Sequence, residues 1–462
     1  MDIVRLVEAK TLLVGEKILE VLEGGIDYLS FEAQLKRELD QLGCDLLKIV
    51  LEALDQKLCD SKERKRDWVV VRKNDQKEIL THFGLLVYTR TYFRNKRSKQ
   101  YSYLVDEKAG IAPHSRVSVN LKAELSELCT GVSYEGATLQ VSRHNAELKV
   151  SRQTVASCVK EFQVKQEPPP KQKRRVKELY LEADEDHVNI RYRNNAQARL
   201  IYVHEGVVEH PRRHLKNVRY FTTVKKTPED FWLEVCDYIE AYYDLESLET
   251  IFLSGDGAPW IRAGLEYIPG VNFILDRFHL SEYILSATAH MPKLRRLIYQ
   301  GIEVLNKQAV LDNLHEALRR AEGPARQKRI RNTIKYIKNN WDGIEASVKY
   351  PHICCSAEGH VSHVLAARLS SRPMAWSLKG ANNMSAMRAV RANGESISEH
   401  YLASRMPTSP IVELREEVKK ELKRLKQSYL FGTENLNNVP LFCGGNSLNR
   451  RALKEINEHA VI

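Results

Sequence analysis

Three acidic residues stand at positions where a sheet protein can expose chemically active groups. Asp184 lies in a strand-like segment, Asp256 lies between two glycines after an apolar run, and Glu358 begins a helix-like segment. Carboxylates that converge from two strands and a helix offer the oxygen ligands that Mg²⁺ and Mn²⁺ prefer. Two such ions promote in-line displacement at phosphorus. The set therefore predicts a phosphoryl-transfer site in which Asp184, Asp256 and Glu358 are both the catalytic residues and the metal ligands.

Other interpretations of these residues stay open. Glu182 and Asp186 compete with Asp184 for the role of first acid, because side chains two residues apart in a strand share one face. A Gly-Asp-Gly segment is often only a turn, and Glu358 also fits an ordinary first-turn acid that the helix dipole favours. The hypothesis depends on the whole set in this order.

The elements that must position these acids follow from hydrophobic periodicity and turn residues. The order of three strands, a helix, a strand, a helix and a strand predicts an α/β protein with an RNase H-like core. The predicted elements are strands at Glu178–Arg191, Ala198–His204, Val218–Val224, Glu249–Leu253 and Val271–Leu275, and helices at Pro228–Tyr243 and Glu358–Leu369. An all-helical, basic stretch at 281–350 interrupts this pattern and predicts an insertion into the core.

The complete division of the chain is predicted from changes in composition along it. The predicted parts are an N-terminal helical region (1–60), a basic β-rich region (61–133), a helix-turn-helix (134–163), a basic Pro-rich linker (164–177), the first part of the core (178–280), the helical insertion (281–350), the last part of the core with Glu358 (351–400) and a C-terminal helical tail (401–462) with an amphipathic helix at 411–427.

The charge of the chain favours a polyanionic partner. The formal net charge is +11 and the isoelectric point is about 9.1, which suits nucleic acid. In the helix-turn-helix, Ser151 is the predicted N-cap of the second helix, and its first-turn residues Arg152, Gln153 and Thr154 are predicted to meet double-stranded DNA. The cations predicted to track DNA in the linker are Lys173, Arg174 and Arg175. Two alternatives are a helical hairpin that only packs and a solvated basic surface.

The composition excludes several other classes. No stretch reaches the ~18 uninterrupted apolar residues of a membrane span, and the first ten residues lack the apolar segment of a secretory signal. The eight cysteines show no zinc-finger spacing. We therefore expect a cytoplasmic, nucleoid-associated protein that does not bind membranes.

Four segments, in order, resemble bacterial insertion-sequence transposases of the DDE class, in particular the ISLre-type family, which is related to Mutator-like and hAT-like enzymes. The carrying segments are LYLEADEDHV (179–188), IFLSGDGAPWIR (251–262), ILDRFHL (274–280) and SAEGHVSHVLAARLSSRPMAWS (356–377). The resemblance implies an RNase H-like core with a helical insertion, two Mg²⁺ or Mn²⁺ ions, and cleavage and strand transfer at the terminal inverted repeats of a mobile element.

The resemblance also implies roles for individual residues. Asp184, Asp256 and Glu358 correspond to the DDE triad, and Asp276-x-x-His279 corresponds to a signature between the second and third acids. Glu185 and Asp186 stand where related sequences have Gly-Thr, so Asp186 stays a rival. Asp276 and His279 are expected to support the ligands, although His279 fits a packed side chain equally well.

Beside Glu358, Arg368 and Arg372 are expected to grip DNA, whereas Trp376 is expected to be structural. We also expect a homodimer or a higher oligomer. Two alternative functions remain: an RNase H-like nuclease without strand transfer, and a non-catalytic helix-turn-helix DNA-binding protein with structural acids.

Overall fold

A computed structural model describes residues 3–145, 147–165, 168–192, 195–403 and 405. The chain divides into two compact units. Of the described residues, the first unit comprises those up to Leu125, those from Tyr134 to Val155 and those after Tyr401, and the second comprises those in Ser126–Ser133 and Ala156–Tyr401. The amphipathic helix predicted at 411–427, and the predicted tail beyond 405, lie outside the described residues.

Long helices and an antiparallel hairpin form the first unit. Three helices, α5, α7 and α19 (Ile397–Ala403), contain points where the chain passes between units. The elements are α1 (Ile3–Leu22), α2 (Tyr28–Asp60), α3 (Lys62–Asp67), β1 (Trp68–Thr81), β2 (Gly84–Asn95), β3 (Tyr101–Ser102), α4 (Leu104–Lys108), α5 (Val119–Leu128), α6 (Tyr134–His144) and α7 (Arg152–Glu161).

Helix α2 covers an edge of β2 and satisfies backbone donors there. The Glu52 carboxylate accepts a hydrogen bond from the Thr89 amide at 2.9 Å, and Asp55 accepts one from the Thr91 amide at 3.1 Å. A buried backbone N–H without a partner is costly, so these two acids fix α2 against the hairpin. Apolar residues of both elements, including Leu54 and Tyr88, are buried beside them.

A mixed sheet and a set of helices form the second unit. Its strands are β4 (Glu178–Val188), β5 (Ala196–His204), β6 (Val207–Val208), β7 (His214–Leu215), β8 (Arg219–Thr223), β9 (Thr250–Gly255) and β10 (Asn272–Leu275). Its helices are α8 (Pro228–Tyr242), α9 (Pro259–Arg262), α10 (Gly264–Tyr267), α11 (Arg277–Ala287), α12 (Pro292–Glu303), α13 (Lys307–Arg320), α14 (Pro324–Asn339), α15 (Trp341–Lys349), α16 (Ala357–Val361), α17 (Ala367–Leu369), α18 (Leu378–Ala392) and α19 (Ile397–Ala403). A single 3₁₀ turn spans Leu245–Ser247, and a π-helical turn spans Ser362–Ala366.

The five-stranded sheet has the order β10-β9-β4-β5-β8. Strands β4, β5 and β8 are antiparallel neighbours, whereas β9 and β10 run parallel to β4. Each of the five strands predicted from the sequence is present, with end points that differ by a few residues. The prediction of a mixed α/β chain is confirmed at that level.

Both faces of the central strand β4 are buried, but they differ in chemistry. Leu181 and Ala183 of β4 belong to a large apolar cluster that includes Phe231 and Val235 of α8. Side chains alternate along a strand, so the opposite face of β4 presents Glu182 and Asp184. One face therefore supplies the core and the other a polar site.

The segment from α11 to α15 is helical, as the sequence predicts for 281–350. Its apolar side belongs to the same large cluster as the sheet, through residues such as Leu294, Leu314 and Ile344. Within the described ranges, we find no helix that combines the length and the apolar character needed to cross a membrane.

Candidate metal centre

Three aspartates lie at one level of the sheet, on neighbouring strands. Glu182 pairs with Ser254 in the parallel β4–β9 ladder, and Ser254 pairs with Ile274 in the β9–β10 ladder. Two residues further along each chain, at the same level and on the same face, come Asp184, Asp256 and Asp276. The carboxyl ends of parallel strands are a common location for binding sites, and the sheet register places three acids there.

Glu358 approaches this row from helix α16, whose start is fixed by Glu182. Glu182 is only 3% exposed. It accepts hydrogen bonds from the Ser356 amide, from the Tyr202 hydroxyl at 2.7 Å and from His204 Nε2 at 3.1 Å. Because Ser356 is two residues before Glu358, Glu182 holds the helix that carries the third predicted acid.

Asp184, Glu358 and His279 meet in one group. One ligand atom from each lies within 4.8 Å of the other two. Asp184 is buried, His279 is half-buried and Glu358 is exposed, so the group forms a polar site that opens toward solvent. Asp256, the remaining ligand predicted from the sequence, is not a member of this group, although it lies in the same row of the sheet as Asp184.

The electrostatics of the group favour a bound cation. The pKa of Asp184 is raised to about 7, mainly because the carboxyl group is buried. The negative charges of Asp256 and Glu358 also raise this pKa, whereas a hydrogen bond from the Glu185 amide and the nearby His279 ring lower it. Burial likewise raises the pKa of Asp276, against a hydrogen bond from the Phe278 amide. Like charges and low dielectric both disfavour ionised carboxylates, and a divalent cation with oxygen ligands relieves both costs.

The stability of the metal-free protein should therefore depend on pH through Asp184. A carboxyl whose pKa is raised on folding contributes stability that is present below its unfolded value and lost as pH rises through about 7. Asp184→Asn removes the charge, so at pH 8 in EDTA we expect this variant to be more stable than the wild type by roughly 2–4 kcal/mol. Guanidinium unfolding between pH 5 and pH 8 measures this. Equal slopes of stability against pH in the two proteins would contradict the electrostatic argument.

The turn that carries Asp256 is held by the helical segment. The Asp256 carboxylate accepts from the Ala258 amide at 2.8 Å, and the Tyr336 hydroxyl donates to the Asp256 carbonyl at 2.8 Å. Gly257 has a φ of +85°, and a Cβ there would lie 2.4 Å from Asn340 Oδ1. This position favours glycine over any residue with a Cβ, because the backbone conformation is left-handed and Asn340 approaches closely.

We expect Gly257→Ala to destabilise the protein by roughly 2–4 kcal/mol, the sum of backbone strain and a steric clash. Gly270→Ala is the matched control, because Gly270 has a φ of +70° but open space around its Cα. The control should be destabilised by the backbone strain alone, by about 1–2 kcal/mol. Thermal or guanidinium unfolding measures both, and equal losses would show that Asn340 does not pack against the turn.

The donor set fits a hard divalent cation. Two carboxylates and one imidazole nitrogen form the group, and Asp256 and Asp276 stand beside it in the sheet register. Asp186 is a different case: its Oδ2 atom is buried and lacks a hydrogen-bond partner in the described part of the chain. It shares a strand face with Asp184, so the choice of first acid between the two stays a prediction.

The predicted DNA-reading residues stand at the start of α7. Ser151 is the N-cap, as predicted, since its hydroxyl accepts from the Thr154 amide at 3.1 Å. Arg152 and Gln153 are exposed, and Arg152 lies 3.6 Å from Glu135. Thr154 is half-buried and its hydroxyl lies 3.0 Å from that of Ser151. Arg152 and Gln153 are accessible to a ligand.

The predicted linker cations lie against the sheet unit. Arg174 bonds through its backbone to 242–244 and its guanidinium lies 3.4 Å from Glu205, while Arg175 lies 3.1 Å from Asp244. Lys173 is exposed. This part of the predicted linker is thus hydrogen-bonded to the second unit, because its backbone groups find partners there.

The prediction that Arg368 grips DNA needs correction. Arg368 is only 7% exposed; its Nε donates to the Cys129 carbonyl at 2.8 Å, and its guanidinium lies over the Trp376 ring. An arginine can be buried when its donors and its planar face are satisfied, and here it holds the segment that follows Glu358. Trp376 is buried and structural, as expected, and Arg372 is exposed.

Sequence reasoning missed the part played by Glu182, which it treated only as a rival to Asp184. A signal was present: Glu182 shares the strand face of Asp184, and the following strand offers two polar residues, Tyr202 and His204, at hairpin spacing. The pairing of Glu182 with Tyr202 and of Tyr180 with His204 places these groups around the carboxylate.

Fold and site together define a mixed α/β protein whose sheet carries a carboxylate–imidazole group at the ends of parallel strands. The chain belongs to the family described as Uncharacterised protein family (UPF0236), whose model matches residues 21–405.

Similar proteins carry the same family designation. UPF0236 protein TTE2489 of Caldanaerobacter subterraneus subsp. tengcongensis is 37% identical over 425 residues, which cover 91% of this chain and 90% of that protein. A protein of Streptococcus gallolyticus, described as UPF0236 protein in vanSb 3'region, is 24% identical over 418 residues, covering 86% of this chain and 89% of that protein.

Proposed function

We propose that this protein is a DDE transposase of an insertion sequence, which cleaves DNA at the ends of the element and joins them to target DNA. The observation that carries the proposal is the convergence of Asp184 from a central strand and Glu358 from a helix, within 4.8 Å of one another. These two residues are 174 positions apart in the chain.

The topology of the second unit supports an RNase H-like core. Three antiparallel strands come first in the chain, and two strands parallel to the first of them follow, in the order β10-β9-β4-β5-β8. This arrangement is the one expected from the resemblance. The helical segment from α11 to α15 lies between the last strand and Glu358, where the resemblance implies an insertion.

The chemistry assigns a task to each acid. Asp184 and Glu358 would hold the divalent cations, with Asp256 beside them in the sheet register. When bound, the cations supply charge neutralisation at the phosphoryl group and activation of the attacking hydroxyl. In the first reaction, water attacks phosphorus and the 3′-oxygen leaves; in the second, that 3′-hydroxyl attacks target DNA and displaces another 3′-oxygen. The buried wall of the site, Glu182 with Tyr202 and His204, keeps the acids in place.

A basic helix face beside the site supports DNA as the substrate. The exposed cations of α14 are Lys328, Arg329, Arg331, Lys335 and Lys338. Among the described residues, none of them forms an ion pair. The helix ends next to the Asp256 turn, to which Tyr336 donates a hydrogen bond. Free cations that lead to a carboxylate site suit a phosphate backbone, whose charge they neutralise.

Removal of these cations should weaken the salt dependence of DNA binding. We expect the triple substitution of Lys328, Arg331 and Lys335 by Gln to lower the slope of log K against log salt by about 2–3, roughly 0.9 for each phosphate that is no longer neutralised. Anisotropy titrations of a labelled duplex from 50 to 300 mM salt are suitable. Arg319→Gln with Arg320→Gln is the control, because both of those arginines already form ion pairs with Glu316. An unchanged slope in the triple variant would refute the proposal that α14 binds DNA.

The names of relatives support mobility. One relative, 37% identical to this chain, has a name that joins eleven designations of the same organism, from TTE0033 to TTE2212. Another joins four designations. Many copies of one sequence in a genome are what repeated transposition leaves behind.

A joining assay separates the three candidate functions. Purified full-length protein is incubated with Mn²⁺, a plasmid target, and labelled duplexes that carry the DNA flanking its own gene. Joined product with wild-type protein supports the transposase. Cleavage without joined product favours the nuclease, and binding without either reaction favours the non-catalytic DNA-binding protein.

A further inference from the structure

The ring of His279 offers a nitrogen atom to a cation held by Asp184 and Glu358. This ring belongs to the group whose ligand atoms lie within 4.8 Å of one another. It is placed there by α11, which begins at Arg277 after the N-cap Asp276 accepts a hydrogen bond from the Phe278 amide at 2.9 Å. The helix start fixes the ring at the edge of the site.

The groups around this position leave His279 available to a ligand. In the described ranges, the ring makes no hydrogen bond; the nearest carboxylate oxygen, Asp276 Oδ2, lies 3.7 Å from its Nε2, and the Phe278 ring packs edge-on at 5.6 Å. Asp184 is only 7% exposed. Within the same ranges, the sole hydrogen bond that its carboxylate accepts comes from the Glu185 backbone amide. A neutral imidazole offers one ring nitrogen as an acceptor, and a carboxylate beside the ring is a common feature of metal-binding histidines.

We propose that His279 is a direct ligand of the divalent cation held by Asp184 and Glu358, and that the site therefore prefers Mn²⁺ to Mg²⁺. The inference rests on the proposed function and names its cofactor more narrowly. Carboxylate and water ligands suit Mg²⁺, whereas an imidazole nitrogen raises affinity along the first-row series that begins with Mn²⁺. A site with oxygen ligands alone would bind the two ions with closer affinities.

The ligand atom can be observed without any measurement of activity. Full-length protein is prepared with ¹⁴N- or ¹⁵N-labelled histidine, loaded with Mn²⁺ alone, and examined by pulsed electron paramagnetic resonance. We expect a nitrogen coupling that changes with the isotope in the wild type and is absent in His279→Gln. The control is His363→Gln, since His363 is an exposed histidine of the segment that follows Glu358, and it should keep the coupling.

Affinity measurements give a second test that does not depend on one variant. Titration of Mn²⁺, and its competition by Mg²⁺, should show a preference for Mn²⁺ of roughly tenfold or more in the wild type. His279→Asp should reduce that preference to a few-fold because the ligands are then all oxygen. Circular dichroism melts verify that each variant is folded.

Each outcome has a distinct meaning. Bound Mn²⁺ without histidine coupling in the wild type, or a coupling that survives in His279→Gln, overturns the inference and leaves the carboxylate site intact. Absence of specific Mn²⁺ binding in the wild type overturns both the inference and the proposed function. Loss of the coupling in His279→Gln, with retention in His363→Gln, supports the assignment.

Discussion

Asp184→Asn is expected to abolish cleavage and strand joining while the protein stays folded. The cations contribute several kcal/mol to phosphoryl transfer, and each 1.36 kcal/mol changes the rate tenfold, so a loss on the order of 10³-fold or more follows. Glu358→Gln should have a similar effect, because it removes the other carboxylate of the group. Asparagine and glutamine keep the shape of the side chains and remove only the charge that attracts the cation.

The joining assay with labelled element ends measures this loss. Glu303→Gln is the matched control, since Glu303 is an exposed acid of α12 and its loss should leave both reactions unchanged. Cleavage at near wild-type rates by both Asp184→Asn and Glu358→Gln would show that the reaction occurs elsewhere in the protein. Inactivity of Asp186→Asn together with activity of Asp184→Asn would instead assign the role of first acid to Asp186.

Glu182→Ala is expected to have the largest effect on stability. Glu182 is only 3% exposed, and the substitution removes a carboxylate that accepts hydrogen bonds from Ser356, Tyr202 and His204. The buried side chains of Tyr202 and His204 and the Ser356 amide then lose their acceptor, which costs roughly 3–5 kcal/mol. Since α16 begins beside Ser356, the variant should also bind Mn²⁺ more weakly through displacement of Glu358.

The control for this change lies on the same strand. Glu178→Ala removes an exposed carboxylate, and we expect its effect to stay within about 0.5 kcal/mol. Guanidinium unfolding measures both variants. A loss below about 1 kcal/mol in Glu182→Ala would mean that its hydrogen bonds do not hold the start of α16.

Local sequence pattern predicted the elements that carry the site. Apolar runs bounded by glycine and aspartate located β9 and β10, because buried strands of a covered sheet are almost continuously apolar. Two-residue periodicity placed Asp184 on the face opposite Leu181 and Ala183. The row of Asp184, Asp256 and Asp276 then depends on strand register, which local pattern does not specify.

Contacts between distant segments account for what sequence reasoning could not supply. The approach of His279 to Glu358 depends on where α11 and α16 pack, and no spacing in the chain encodes that distance. Arg368 has the composition of a DNA-binding residue, yet its donors reach the Cys129 carbonyl and its face meets Trp376. The residues packed around an arginine in the folded protein determine whether it can bind DNA or only stabilises the structure.

The same arrangement links stability to function. Burial raises the pKa of Asp184 to about 7, so the metal-free site carries a cost that a cation relieves. Asp184→Asn should consequently be more stable without metal and gain less from Mn²⁺ than the wild type does. Active sites commonly keep such unfavourable charge because the ligand requires it.

Anomalous diffraction from crystals of the full-length protein grown with Mn²⁺ tests the central claim most directly. We expect a manganese peak within about 2.0–2.5 Å of a carboxylate oxygen of Asp184 and one of Glu358. Ordered manganese at another location, with the oxygens of Asp184 and Glu358 free of metal, would contradict a phosphoryl-transfer centre at this edge of the sheet.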